Sequence, residues 1–149
     1  MNPTDLSLSG LSAEPIRRIV FSPDGRTAVI GYQRSGLELR SLVGREDRFL
    51  EVSVEDQRLA GFDTLRAMAY SHDGQTLYVG KGVELYALDA ATGEIRWRYR
   101  APNSYGFLPS AVASLAVAAD GRVACAFDHG GLALLNSDGR MESYHVHHE

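Results

Sequence analysis

Three Asp-Gly pairs, Asp24-Gly25, Asp73-Gly74 and Asp120-Gly121, recur at spacings of 49 and 47 residues along a chain of 149. Recurrence at a nearly fixed period constrains a fold more tightly than composition, because each repeat must be one supersecondary unit that buries its faces against its neighbours. The surroundings return with the pairs. Eight residues before each Asp stand Ile16, Leu65 and Val112; five before it, Ile19, Met68 and Leu115; three before it, Phe21, Tyr70 and Val117. Alternation of this kind running into a turn predicts a strand with one face more deeply buried. The Asp-Gly pair then supplies the positive φ angles of a tight hairpin. A second short apolar strand follows at 27–31, 76–80 and 123–127.

A third strand reads at 36–39, 82–85 and 131–135, and a fourth at 47–54, 94–100 and 140–146. Four short strands per repeat with turn chemistry between them make a propeller blade. The expectation is an all-β chain of the β-propeller type, one domain over 1–149. Its three four-stranded antiparallel blades fall at about 15–55, 62–100 and 111–146. Helical period is confined to a single turn near 56–61, and 6–11 reads as an outer strand ahead of the first blade. A closed propeller has about four to eight blades. Three make half a propeller, which a second copy would complete to six.

The motifs Phe21-Ser22-Pro23-Asp24-Gly25 and Tyr70-Ser71-His72-Asp73-Gly74 resemble the first-strand motif of WD-repeat and related bacterial propellers. The run from Leu85 through Thr92-Gly93 to Trp97 resembles a blade of the quinoprotein dehydrogenase type, with its Thr-Gly turn followed by a docking tryptophan. Between them these resemblances cover nearly the whole chain. The Trp-Asp dipeptide of WD repeats does not occur, and Trp97 is the only tryptophan. The resemblance therefore implies a propeller rather than quinone binding, and no cofactor is expected.

Net charge is −4 with a pI near 5.7, a balance that argues against affinity for nucleic acid or for anionic membranes. No apolar run approaches the length of a membrane helix, and the N-terminus lacks the pattern of a signal peptide; the expected location is cytoplasmic. Cys125 is the only cysteine and sits in an apolar run, which suits a buried, inert thiol.

Candidate site residues are few. Arg96, Arg98 and Arg100 alternate along the fourth strand of the second blade and share one face, where they could grip phosphate or a carboxylate-rich partner, or simply discourage edge pairing. Trp97, on the opposite face, is expected between blades. Tyr105 and Phe107 lie in a proline-flanked loop suited equally to protein recognition and to packing on a neighbouring blade. His145 and His147 would share a side of an extended strand and could bind a metal with His148, Glu149 or His129, although a solvated tail or outer strand is the preferred reading. The three Asp residues belong to turns, and no catalytic triad order, phosphate loop or zinc spacing occurs. A non-enzymatic binding or assembly module follows. Its expected partner is a protein: the chain itself as a homodimer, or another propeller chain. The alternative is a fragment of a larger quinoprotein-like or WD-repeat enzyme or sensor whose active residues lie elsewhere.

Overall fold

The structure, a computed structural model, describes residues 14–50, 64–100, 111–128 and 130–146. The helical turn near 56–61, the strand at 6–11 and the loop bearing Tyr105 and Phe107 lie outside the described residues.

Among the described residues, twelve strands form three antiparallel sheets, each in chain order. Sheet 1 holds β1 (Ile16–Phe21), β2 (Thr27–Tyr32), β3 (Leu37–Ser41) and β4 (Arg48–Leu50). Sheet 2 holds β5 (Leu65–Tyr70), β6 (Thr76–Lys81), β7 (Glu84–Asp89) and β8 (Ile95–Arg100). Sheet 3 holds β9 (Val112–Val117), β10 (Val123–Phe127), β11 (Gly131–Leu135) and β12 (Met141–Val146). Among the described residues there is no helix. The third strands extend past their expected ends, to Ser41 and Asp89.

The Asp-Gly hairpins close differently from the expected two-residue turn. Gly25, Gly74 and Gly121 take positive φ (72°, 74° and 92°), but no non-glycine residue among those described does, so the aspartates stay in ordinary backbone space. Each aspartate instead works through its side chain. Asp24 Oδ1 accepts from Ser22 Oγ at 2.6 Å and from the Arg26 N–H at 3.0 Å, while the Gly25 N–H donates to the Ser22 carbonyl at 2.9 Å. Asp73 repeats this with Ser71 and Gln75. Ala118 replaces the serine in sheet 3, and that hairpin is one residue shorter: the Ala118 N–H donates to Arg122 rather than to the next residue along.

Sheet 2 is the middle layer, and its strands show it. All six residues of β6 are buried and none of β5 is exposed, whereas five of six are exposed in β1, the counterpart of β5 in the first repeat. Alternation sends Leu77 and Val79 of β6 into the cluster shared with sheet 1, with Val29, Leu37, Leu39 and Leu65. It sends Tyr78 into the cluster shared with sheet 3, with Val112, Val123, Cys125 and Leu135. Each first strand enters its sheet through a register shift, beside Ile16, Leu65 and Val112. A bulge of this kind re-aims the residue next to it, and two of these residues, Leu65 and Val112, start the sheet-to-sheet contacts.

Candidate interaction surfaces

The two internal junctions are built alike. Leu65 covers Gly31: a Cβ at that glycine would collide with Leu65 Cδ2 and lie 3.1 Å from Met68 Cε. Val112 covers Gly80 in the same way, with Cγ1 only 2.6 Å from where a Cβ would be. The same residues tie the backbones. The Leu65 N–H donates to the Gln33 carbonyl at 2.9 Å, and the Val112 N–H to the Gly82 carbonyl at 2.8 Å. At the outer edge a large side chain of one sheet sits on a turn glycine of the next, Leu50 on Gly93 and Trp97 on Gly139. Trp97 Nε1 also donates to the Ser137 carbonyl at 3.0 Å, and its ring lies 5.8 Å from that of Tyr78. Trp97 is thus an inter-sheet residue, as its position suggested. Arg48 fastens the first junction by donating to the carbonyls of Ala90 and Ala91.

Two sheet faces, one on sheet 1 and one on sheet 3, turn away from these junctions. On sheet 1, Ile19 and Phe21 are 58% and 65% exposed and Ile16 is 49% exposed. Val29 and Leu39 belong to the junction with sheet 2, and Leu115, Val117 and Val123 to the junction with sheet 3. Leu134, between the buried Ala133 and Leu135, faces away from that junction. The outer face of sheet 1 is not uniformly apolar. Its third strand carries Glu38, buried and 2.9 Å from the Arg40 guanidinium, where the matching positions are Tyr86 and Leu88 in sheet 2. The outer face of sheet 3 carries small side chains on β9 and β10 and leucines on β11: the cross-strand rows are Ala116, Ala124, Leu134, Ser143 and Ser114, Ala126, Leu132, His145. A shallow depression opens there beside Ala116, Ala124 and Leu134.

No protein-family model and no curated protein matches the chain. Solved structures do. U3-55K and the WD40 repeats of RRP9 each superpose on 93% of this chain with a TM-score of 0.75 at 12% identity. The chain has the fold of WD40 propeller blades. It spans 41% of the length of either of those two structures, and each of its sheets is one blade.

Blade 2 carries the arginine row, and the fold neutralises much of it. Arg96 donates to Asp89 Oδ2 at 2.7 Å and to Thr76 Oγ1 at 2.6 Å; Arg100 pairs with Glu84 Oε1 at 2.7 Å. Arg98 lies between them, opposite Tyr86. The Arg96 guanidinium, helped by the N–H groups of Thr92 and Ala91, holds the Asp89 carboxyl down to about 2. These carboxylate partners sit on the adjacent strand β7, so only the pairing register reveals them. Asp24 and Asp73 are held below the ordinary carboxylate range chiefly by the hydroxyls of Ser22 and Ser71, and Asp120 chiefly by the Arg122 N–H. That is the chemistry of braced turns.

A cleft of about 360 Å³ opens on the hairpin rim between blades 1 and 2, beside Asp24, Arg48, Tyr70, Asp89 and Arg96. Both of its guanidinium groups are committed to protein acceptors. Among the described residues no group of three or more His, Cys, Asp or Glu side chains converges as metal ligands. His145 is exposed on β12, opposite Leu132; His129, His147, His148 and Glu149 lie outside the described residues. Cys125 is fully buried, and burial pushes its thiol up to about 12.

The residues that reading the sequence did not single out are the glycines that receive the next blade. Gly31 and Gly80 stand seven residues after the Asp of each hairpin. That recurrence was the available signal.

Proposed function

We propose that this chain is a non-enzymatic β-propeller module for protein–protein interaction, and that its first partner is a second copy of itself. The observation that carries this reading is the exposed apolar edge of blade 1, where Ile19 is 58% and Phe21 65% exposed. The residues at the same repeat positions in blade 2, Met68 and Tyr70, pack into an inter-blade cluster. A blade face buries its apolar side chains only against another blade, and clustered exposed apolar side chains mark interaction sites. Two copies related by a two-fold axis would supply six blades, a number that closes. For a further protein partner the candidates are the arginine row Arg96, Arg98 and Arg100, acting with the carboxylates that Arg96 and Arg100 already hold, and the sequence around Tyr105 and Phe107.

Light scattering at micromolar concentration tests the reading. The wild-type chain is expected at twice its 16.3 kDa mass, and Phe21→Glu at the single-chain mass with an unchanged β-sheet circular dichroism spectrum. A wild type that stays soluble at the single-chain mass contradicts it.

A second reading is favoured by the 41% span: the three blades form part of a larger propeller whose other blades, and any active residues, lie on a longer polypeptide. A stable single-chain mass that doubles only when further blades are supplied would support that alternative.

A further inference from the structure

Each internal junction uses one knob, one hole and one backbone bond. The knobs are Leu65 and Val112, the holes Gly31 and Gly80, and the bonds run from the knob N–H to the carbonyls of Gln33 and Gly82. The repeat places Ile16 at the knob position of blade 1. Pairing register places Ala126 at the hole position of blade 3: Gly31 faces Leu37, Gly80 faces Leu85 and Ala126 faces Leu132 across the neighbouring strand. The carbonyl matching Gln33 and Gly82 is that of Asp128, since the N–H groups of all three residues donate to the residue just before a knob, to Pro15, Thr64 and Ala111.

The outer-edge seats tell the same story. Gly93 is filled by Leu50 and Gly139 by Trp97, both side chains of the preceding blade. Gly44, on the corresponding turn of blade 1, has the same left-handed φ (84°) and nothing within 4 Å of where a Cβ would be. Blade 1 thus presents a knob and an empty seat, and blade 3 presents a hole beside a shallow depression.

We propose that blade 1 of one copy docks on blade 3 of a second copy in the register of the internal junctions, with Ile16 seated over Ala126, its N–H donating to the Asp128 carbonyl, and a β12 side chain of the second copy covering Gly44. This rests on the self-assembly proposed above and names the surface that carries it. The occupant is a second copy because both halves of the junction, in matching register, are present on this one chain. The hole differs from the internal pair in one respect. Ala126 carries the methyl group that Gly31 and Gly80 lack, so the seat is shallower and the intermolecular junction looser than the internal ones.

Two variants of the full chain, Ile16→Cys and Ala126→Cys, test the register when mixed under mild oxidation; the native Cys125 is buried and does not compete. A disulfide-linked pair is expected from the mixture and from neither variant alone. A mixture that has twice the single-chain mass yet forms no such link overturns the register while leaving self-association standing. A mixture of single-chain mass, with a wild type that behaves likewise, overturns both. Substitution at the same sites gives a second readout. Ile16→Glu is expected to weaken association at least about tenfold, and Ala126→Gly to tighten it about fivefold, as relief of one overpacked methyl group does. Association unchanged or weakened in Ala126→Gly overturns the seating.

Discussion

Val112 of blade 3 occupies the space in front of Gly80 of blade 2, with its Cγ1 only 2.6 Å from where a Cβ on that glycine would be. The Val112 N–H is also bonded to the Gly82 carbonyl at 2.8 Å, so the two strands cannot draw apart here without breaking that bond. Gly80→Ala is therefore expected to destabilise the chain by about 1–3 kcal/mol, the usual cost of overpacking a core. Chemical denaturation measures it. A midpoint equal to that of the wild type would show that the junction yields more easily than the contact implies.

Trp97 joins blades 2 and 3 through both its ring and its Nε1. Trp97→Phe keeps an aromatic ring against Tyr78 and gives up the hydrogen bond to Ser137, a loss of about 1 kcal/mol. Trp97→Ala also gives up the packing; because the side chain is only partly buried, a loss of about 2–3 kcal/mol is expected, at the low end for a large aromatic. Thermal unfolding of both variants should rank wild type above Phe above Ala. Equal stability of the Phe and Ala variants would contradict a packing role.

Much of the architecture was legible because one backbone demand recurs. The hairpin glycines need positive φ, and the strands on either side must alternate, so repeat, strands and blades could be read together. What was not legible depends on register. That Arg96 faces Asp89 and Arg100 faces Glu84 follows from how β8 pairs with β7, including the irregularity beside Ala87 and Leu88. Spacing along β8 alone suggested an open basic row. Ile19 and Leu115 occupy equivalent repeat positions, yet one is exposed and the other packed in a junction; the difference is the presence of a neighbouring blade, which no local pattern encodes. The aspartates of the hairpins were placed in turns correctly, but they brace those turns with carboxylates rather than with positive φ.

Acid should loosen these turns in a defined window. The folded-state value of Asp89 lies at about 2, below the ordinary 3.8, and Asp24, Asp73 and Asp120 are also depressed. A depressed carboxyl stabilises the fold above its unfolded value, and the contribution is lost as pH falls through the folded one. Stability is expected to hold above about pH 4 and to decline between about pH 4 and 2. Asp89→Asn should make that decline shallower, as followed by urea midpoints across the range. An unaltered slope would remove Asp89 from the explanation.

Cys125 offers a probe of global opening. Its thiol is fully buried between blades 2 and 3 and pushed up to about 12, and only the thiolate reacts readily. Labelling by a thiol reagent at neutral pH is expected to be negligible in the folded chain and complete in denaturant. Fast labelling without denaturant would mean that the junction between blades 2 and 3 opens freely.

Small-angle X-ray scattering of the purified chain tests the proposed assembly most directly, because it reads mass and dimensions together. A closed pair of copies is expected to scatter with the intensity of two chains and a radius of gyration near about 19 Å, the size of a compact body of that length. Intensity of one chain and a radius near about 15 Å at every concentration would contradict the proposal that blades 1 and 3 meet across copies.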